Sequence, residues 1–120
     1  MLAEEYTFED GKKLFAEYFH KNKKEVTAII VTTDMMLLAV TQTLYTCNIK
    51  VPDDISIIGL NDLLAPYLSP PVTSIVQPVE EMGKAAVDLL LKRIKDPERT
   101  ATTITLGTKL AERDTVKDIS

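Results

Sequence analysis

Val51-Pro-Asp-Asp-Ile-Ser-Ile-Ile-Gly-Leu-Asn-Asp62, followed by Leu68-Ser-Pro-Pro-Val-Thr-Ser-Ile-Val-Gln-Pro78, decides the fold. It reads as an acidic turn, an apolar strand over Ile55 to Leu60, an irregular loop stopped by Pro70-Pro71 and a second short strand. Upstream, Thr27-Ala-Ile-Ile-Val31 is a short β-branched run suited to a buried parallel strand. From Asp34 a helix is predicted to about Cys47, with Asn48 in the left-handed conformation that ends helices. Strand, helix and strand within about thirty-five residues form the crossover unit of a parallel α/β sheet.

Outward from this unit the punctuation is equally readable. Thr7 and Asp10 form an imperfect capping box before Leu14, Phe15, Tyr18 and Phe19, whose spacing predicts an amphipathic helix to about His20. After Pro78 the stripe Val79, Met82, Gly83, Ala86, Leu89, Leu90 and Ile94 predicts a helix to about Lys95, with Asp96-Pro97 as its stop. Thr100 to Leu106 is β-prone, and Lys109 to Asp114 is expected to give a last short strand or edge.

Composition sets the function classes. With 120 residues, 45% of them hydrophobic, the chain has material for one core. A net charge of -4 gives it no general attraction to a polyanion, so this stretch is not expected to touch DNA. No apolar run approaches the roughly 20 residues of a membrane span, and Met1-Leu-Ala-Glu-Glu lacks signal-peptide organisation, so a cytoplasmic location is expected. Cys47 is the only cysteine and reads as a small apolar filler. His20 is the only histidine, and there is neither a Gly-rich phosphate loop nor metal-ligand spacing. No catalysis, cofactor or metal is therefore expected.

The chemistry-bearing residues gather at strand ends. Thr33 and Asp34 follow the first strand, Asn61 and Asp62 follow the second, and Tyr6 precedes the first helix. Hydrogen-bonding groups opposite an aromatic ring suit a sugar or another small polar ring. A plainer reading stands beside this one: Asp34 caps a helix, Asn61 and Asp62 hold a turn, and Tyr6 covers a helix end.

The quoted stretch, together with Thr7-Phe-Glu-Asp-Gly11, Ala28-Ile-Ile-Val-Thr-Thr-Asp34, Glu81-Met-Gly83 and Lys109-Leu-Ala-Glu-Arg113, closely resembles the effector-binding domain of the lactose repressor/galactose repressor (LacI/GalR) family of transcription regulators. The resemblance implies a periplasmic-binding-protein-like (type I) fold, of which this chain is the carboxyl-terminal part. It implies that residues 1–78 belong to the carboxyl-terminal lobe, 79–105 to the amino-terminal lobe, and 106–120 to the return and tail, with the helix-turn-helix domain absent.

The same resemblance assigns roles to residues. Tyr6 stands where relatives stack an aromatic ring on the effector, and Thr33 stands where they commonly have Asn. Asn61 and Asp62 occupy a Gly-aromatic-Asp-Asp motif, here Gly59-Leu-Asn-Asp62, with an amide in place of the usual first acid. Val79 falls at a pocket-lining position. Asp34-Met-Met-Leu-Leu-Ala39 replaces Asp-x-Met-Ala-x-Gly, and Leu38, Tyr67 and Leu68 fall at dimer-interface positions. The expected partners are a small-molecule effector, a sugar or sugar derivative, and a second copy of the chain, with operator DNA reached only through the absent domain and no membrane. Two alternatives share the two-lobed fold or its remnant: a sugar-binding protein of a transport system, and a truncated dimerisation module.

Overall fold

The computed structural model describes residues 7–22 and 25–120. In chain order they form α1 (Phe8–Asn22), β1 (Ala28–Val31), α2 (Asp34–Thr46), β2 (Ser56–Leu60), a 3-10 turn (Ala65–Tyr67), β3 (Thr73–Val76), α3 (Val79–Lys95) and β4 (Lys109–Ala111). The strands make one sheet in the order β1-β2-β3-β4. β1 and β2 run parallel from Ala28 opposite Ser56 to Val31 opposite Gly59, and β2 and β3 run parallel from Ile58 opposite Thr73 to Leu60 opposite Ile75. The α/β parallel-sheet expectation is met, with α2 as the crossover between β1 and β2.

The chain divides into two compact units, Met1–Val76 with Leu110–Ser120, and Gln77–Lys109. In the first, the core joins Phe15 and Phe19 of α1 and Leu37, Val40 and Leu44 of α2 to Val31, Ile55, Ile57 and Val72. The two phenylalanine rings stack with centroids 5.5 Å apart. Two glycines permit this packing. A Cβ on Gly59 would lie 3.3 Å from Leu37 Cδ2, so α2 sits directly on β2. A Cβ on Gly11 would lie 2.6 Å from Met36 Sδ and 3.1 Å from Ala39 Cβ. Gly11 of α1 thus makes room for the alanine that this chain carries at the end of the Asp34–Ala39 motif.

One expectation for β1 fails. The β-branched run suits a buried strand, but Ile30 is 69% exposed while Val31 is buried. Ile29 and Val31 share a face with their register partners Ile57 and Gly59 and point into the core, whereas Ile30 alternates to the other face, which stays open.

The caps also differ in detail. Thr33, not Asp34, caps α2, its Oγ1 accepting from the Met36 N–H at 3.3 Å. At the other end Asn48 has φ 55°, and the Ile49 N–H donates to Leu44 O at 2.9 Å. The turn into β2 is held by Asp54, whose Oδ2 accepts from the Lys50 N–H at 2.8 Å.

The residues after β4 stitch the first unit together. Thr115, 1% exposed, receives the Thr73 N–H on Oγ1 at 2.9 Å and donates that hydroxyl to Ile57 O at 2.7 Å, and its own carbonyl accepts from the Ile57 N–H at 2.8 Å. One threonine therefore bridges β2 and β3.

In the second unit, α3 matches its predicted bounds, and exposed pairs Lys84–Glu80 and Lys92–Asp88 lie four residues apart at 2.6 and 2.5 Å. None of its residues is buried, and Val79, Leu90 and Ile94 are all more than half exposed. Met82, Ala85, Ala86 and Leu89 line a hollow with Ile104, Thr105 and Leu106. The β-prone segment Thr100 to Leu106 forms no strand. Its threonines supply propensity, but a strand exists only where a ladder partner completes its hydrogen bonds.

Candidate functional site

Parallel strands deliver their following residues to one edge of the sheet, and here β1 and β2 end side by side, Val31 opposite Gly59. Thr33 and Asp34 follow the first, Asn61 and Asp62 the second. A direct bond ties the two turns: the Leu64 N–H donates to Asp34 Oδ1 at 3.1 Å. Asp34 therefore serves as a strap between the strand ends. Thr33 combines its cap with a half-buried position at the same edge.

Asn61 has φ 77°, a left-handed conformation that asparagine tolerates better than most side chains, and its N–H donates to Ile75 O at 3.1 Å. The next residue is fixed more strongly. Asp62 receives both arms of Arg113, Nη1 to Oδ1 at 2.7 Å and Nη2 to Oδ2 at 2.8 Å, and it also accepts from the hydroxyl of fully buried Ser74. Arg113 Nη1 further donates to Val72 O at 2.7 Å. The guanidinium bonds hold the Asp62 carboxyl below its ordinary range, against the opposing effect of burial and with help from Ser74, and Asp62 in turn raises Arg113.

The sign of the consequence follows. A depressed carboxyl pKa stabilises the fold above the ordinary value of 3.8, and that contribution is lost as pH falls through the lowered folded value. Asp62→Asn is expected to be less stable than wild type at pH 6, with the gap narrowing in acid. Urea unfolding midpoints across this range are the check, and a pH-independent gap would contradict it.

The structure thus brings Thr33, Asn61 and Asp62 to one edge. Tyr6 lies outside the described residues. Val79 lies in the second unit and is 70% exposed. Of the residues expected at a dimer interface, Tyr67 is 85% exposed, Leu38 is half-buried, and Leu68 is half-buried against the core. In the sequence Arg113 stands out only as part of a motif, because its partner lies 51 residues away. The signal that could have found it is an arginine two positions past the short last strand, in a sheet where an acid stands two positions past β2, one strand further in than the neighbour β3.

Other hollows have a different character. A groove of about 780 Å³ is lined by the end of α2, including Leu44 and Tyr45, by Ile49 to Val51 before β2, and by Ser69 and Pro70 before β3. It therefore lies where the strands begin. Among the described residues no cluster has the composition to hold a metal ion, and no helix is long and apolar enough to cross a membrane.

Polar residues gathered at adjacent strand ends of a parallel α/β sheet stand where open sheets of this class bind ligands. The family model described as periplasmic binding protein-like domain matches residues 3–116, and the chain belongs to that family, in its LacI/GalR branch of transcription regulators. The HTH-type transcriptional repressor PurR of Photobacterium profundum is 39% identical over 99 residues, 82% of this chain and 30% of the relative. PurR of Vibrio cholerae is 38% identical over 112 residues, 92% of this chain and 33% of the relative. The chain spans about a third of the length of these curated relatives. Among solved structures, a LacI family transcriptional regulator from Enterococcus faecalis with bound ribose superposes with a TM-score of 0.84 at 32% identity, over 97% of this chain and 43% of that one. A complex of the transcriptional regulator CelR with cellobiose gives a TM-score of 0.84 at 29% identity, over 92% of this chain and 34% of that one.

Proposed function

We propose that this chain is the ligand-sensing part of a cytoplasmic LacI-family DNA-binding regulator. A small polar ligand, a sugar or sugar derivative, binds at the carboxyl ends of β1 and β2. Thr33 and Asn61 supply neutral hydrogen-bonding groups, Asp62 shapes the edge behind them, and Tyr6 supplies a stacking face. The observation that carries this reading is the Leu64 to Asp34 bond, which locks the two strand ends into one polar edge. Relatives that are transcriptional repressors and structural neighbours holding ribose and cellobiose support it. A transport role loses ground for the same reason.

In this reading the chain catalyses nothing and needs no cofactor. It pairs with a second copy through Leu38, Tyr67 and Leu68, and it reaches operator DNA only through another domain. Residues 79–105 belong with the other lobe of the effector-binding domain. Regulation arises because a ligand favours one lobe arrangement over another.

The test is made on the full-length protein. Ring stacking and a neutral hydrogen bond are each worth on the order of 1 kcal/mol. Tyr6→Ala and Asn61→Gly are expected to weaken effector response several-fold while leaving effector-free operator affinity unchanged. Glycine is the right replacement at position 61, because alanine at φ 77° would add backbone strain to the lost amide. Wild-type effector response in both variants would leave these residues as helix and turn supports only.

A further inference from the structure

Arg113 makes more bonds than pairing with Asp62 requires. Besides the two-armed fork on the carboxylate and the bond to Val72 O, its Nη1 lies 3.1 Å from Ser74 Oγ, and its backbone N–H donates to Thr73 Oγ1 at 2.9 Å. Ser74 is wholly buried and aims its hydroxyl at the same carboxylate. Ser74 from the body of β3 and Arg113 from the segment after β4 therefore converge on Asp62 in the loop after β2. Asp62 immediately follows Asn61, which sits in a left-handed turn with its N–H on Ile75 O. A forked guanidinium fixes both carboxylate oxygens in a plane, whereas a lysine ammonium is a compact point charge that cannot reproduce the two parallel bonds.

We propose that Arg113 is a positioning residue of the ligand site: through Asp62 it fixes the left-handed turn from which Asn61 meets a polar ligand. The inference rests on the ligand reading above. Arg113 itself does not touch the ligand. Its effect passes through the orientation of Asp62 and the backbone before it, so the fork and not the charge alone sets affinity.

The experiment compares full-length wild type with Arg113→Lys, Arg113→Gln and Thr115→Val. Thr115 lies in the same returning segment but bonds to Ile57 and Thr73, so its valine variant reports general destabilisation. Two quantities are read: amide hydrogen exchange at Asn61 relative to the amides of α2 without ligand, and calorimetric affinity for ribose and cellobiose. In Arg113→Gln, relative exchange at Asn61 is expected to rise about tenfold and affinity to fall about tenfold, with a threefold loss in Arg113→Lys. In Thr115→Val both quantities should stay within about twofold of wild type despite its lower stability. Asn61 exchange that merely follows α2 in Arg113→Gln would overturn the proposal, as would an equal affinity loss in Thr115→Val. If exchange responds as expected but wild type binds neither sugar, the sugar reading falls while the positioning of the turn stands.

Discussion

Leu37→Ala is expected to lower the stability of the chain by about 3–5 kcal/mol, the upper part of the range for leucine truncation in a packed core. Leu37 is 1% exposed and lies over Gly59, where β2 offers no side chain that could move into the vacated volume. Val72 approaches the same position over Gly59 and belongs to the same buried cluster, and with that cluster packed the cavity should persist. Urea unfolding followed by far-ultraviolet circular dichroism measures the loss. A cost under about 1 kcal/mol would mean that α2 is not seated on β2 as described. Leu37→Met, which nearly conserves volume, should cost less than about 1.5 kcal/mol.

Thr115→Val should cost about 2–4 kcal/mol although it removes no volume. The substitution leaves the buried Thr73 N–H without its acceptor and Ile57 O without the hydroxyl donor, and no water-exposed route is open at a residue 1% exposed. Unfolding midpoints of Thr115→Val and Thr115→Ser separate the hydroxyl from the methyl group: serine should recover most of the loss. Equal destabilisation by both would assign the effect to packing and remove the threonine from its bridging role.

Much of this arrangement was legible along the chain because it is local. The β-branched runs, the Pro78 start and Asp96-Pro97 stop of α3, and the left-handed Asn48 each depend on a few neighbouring residues, and each is observed. What escaped the sequence depends on partners far apart in it. Thr115 acts on residues of β2 and β3, and Arg113 finds Asp62 only once the sheet order is set. The cap of α2 moved by one residue because Asp34 had a distant use, the Leu64 N–H, that no local rule contains. Thr100 to Leu106 shows the opposite error, a local propensity with no ladder to realise it.

The candidate site divides in the same way. That Thr33, Asn61 and Asp62 share an edge follows from parallel strands and was readable in order along the chain. Their division of labour was not. Asp62, the most acidic-looking contact for a ligand, is occupied by Arg113 and Ser74, which leaves Asn61 and Thr33 as the neutral polar groups of the edge in the proposed function. Asn61 stands where the resemblance leads one to expect an acid, and the neighbouring charge is already neutralised. In the proposed function such an edge selects by hydrogen bonding more than by charge.

The most direct test of the ligand reading is a titration of the isotope-labelled full-length protein with ribose and with cellobiose, following amide chemical shifts residue by residue. The account predicts saturable shifts concentrated at Thr33, Asn61 and Asp62, with little change at Leu44, Tyr45 and Lys50 around the groove at the start of the strands. Saturable shifts confined to that groove, with Thr33 and Asn61 silent, would contradict it.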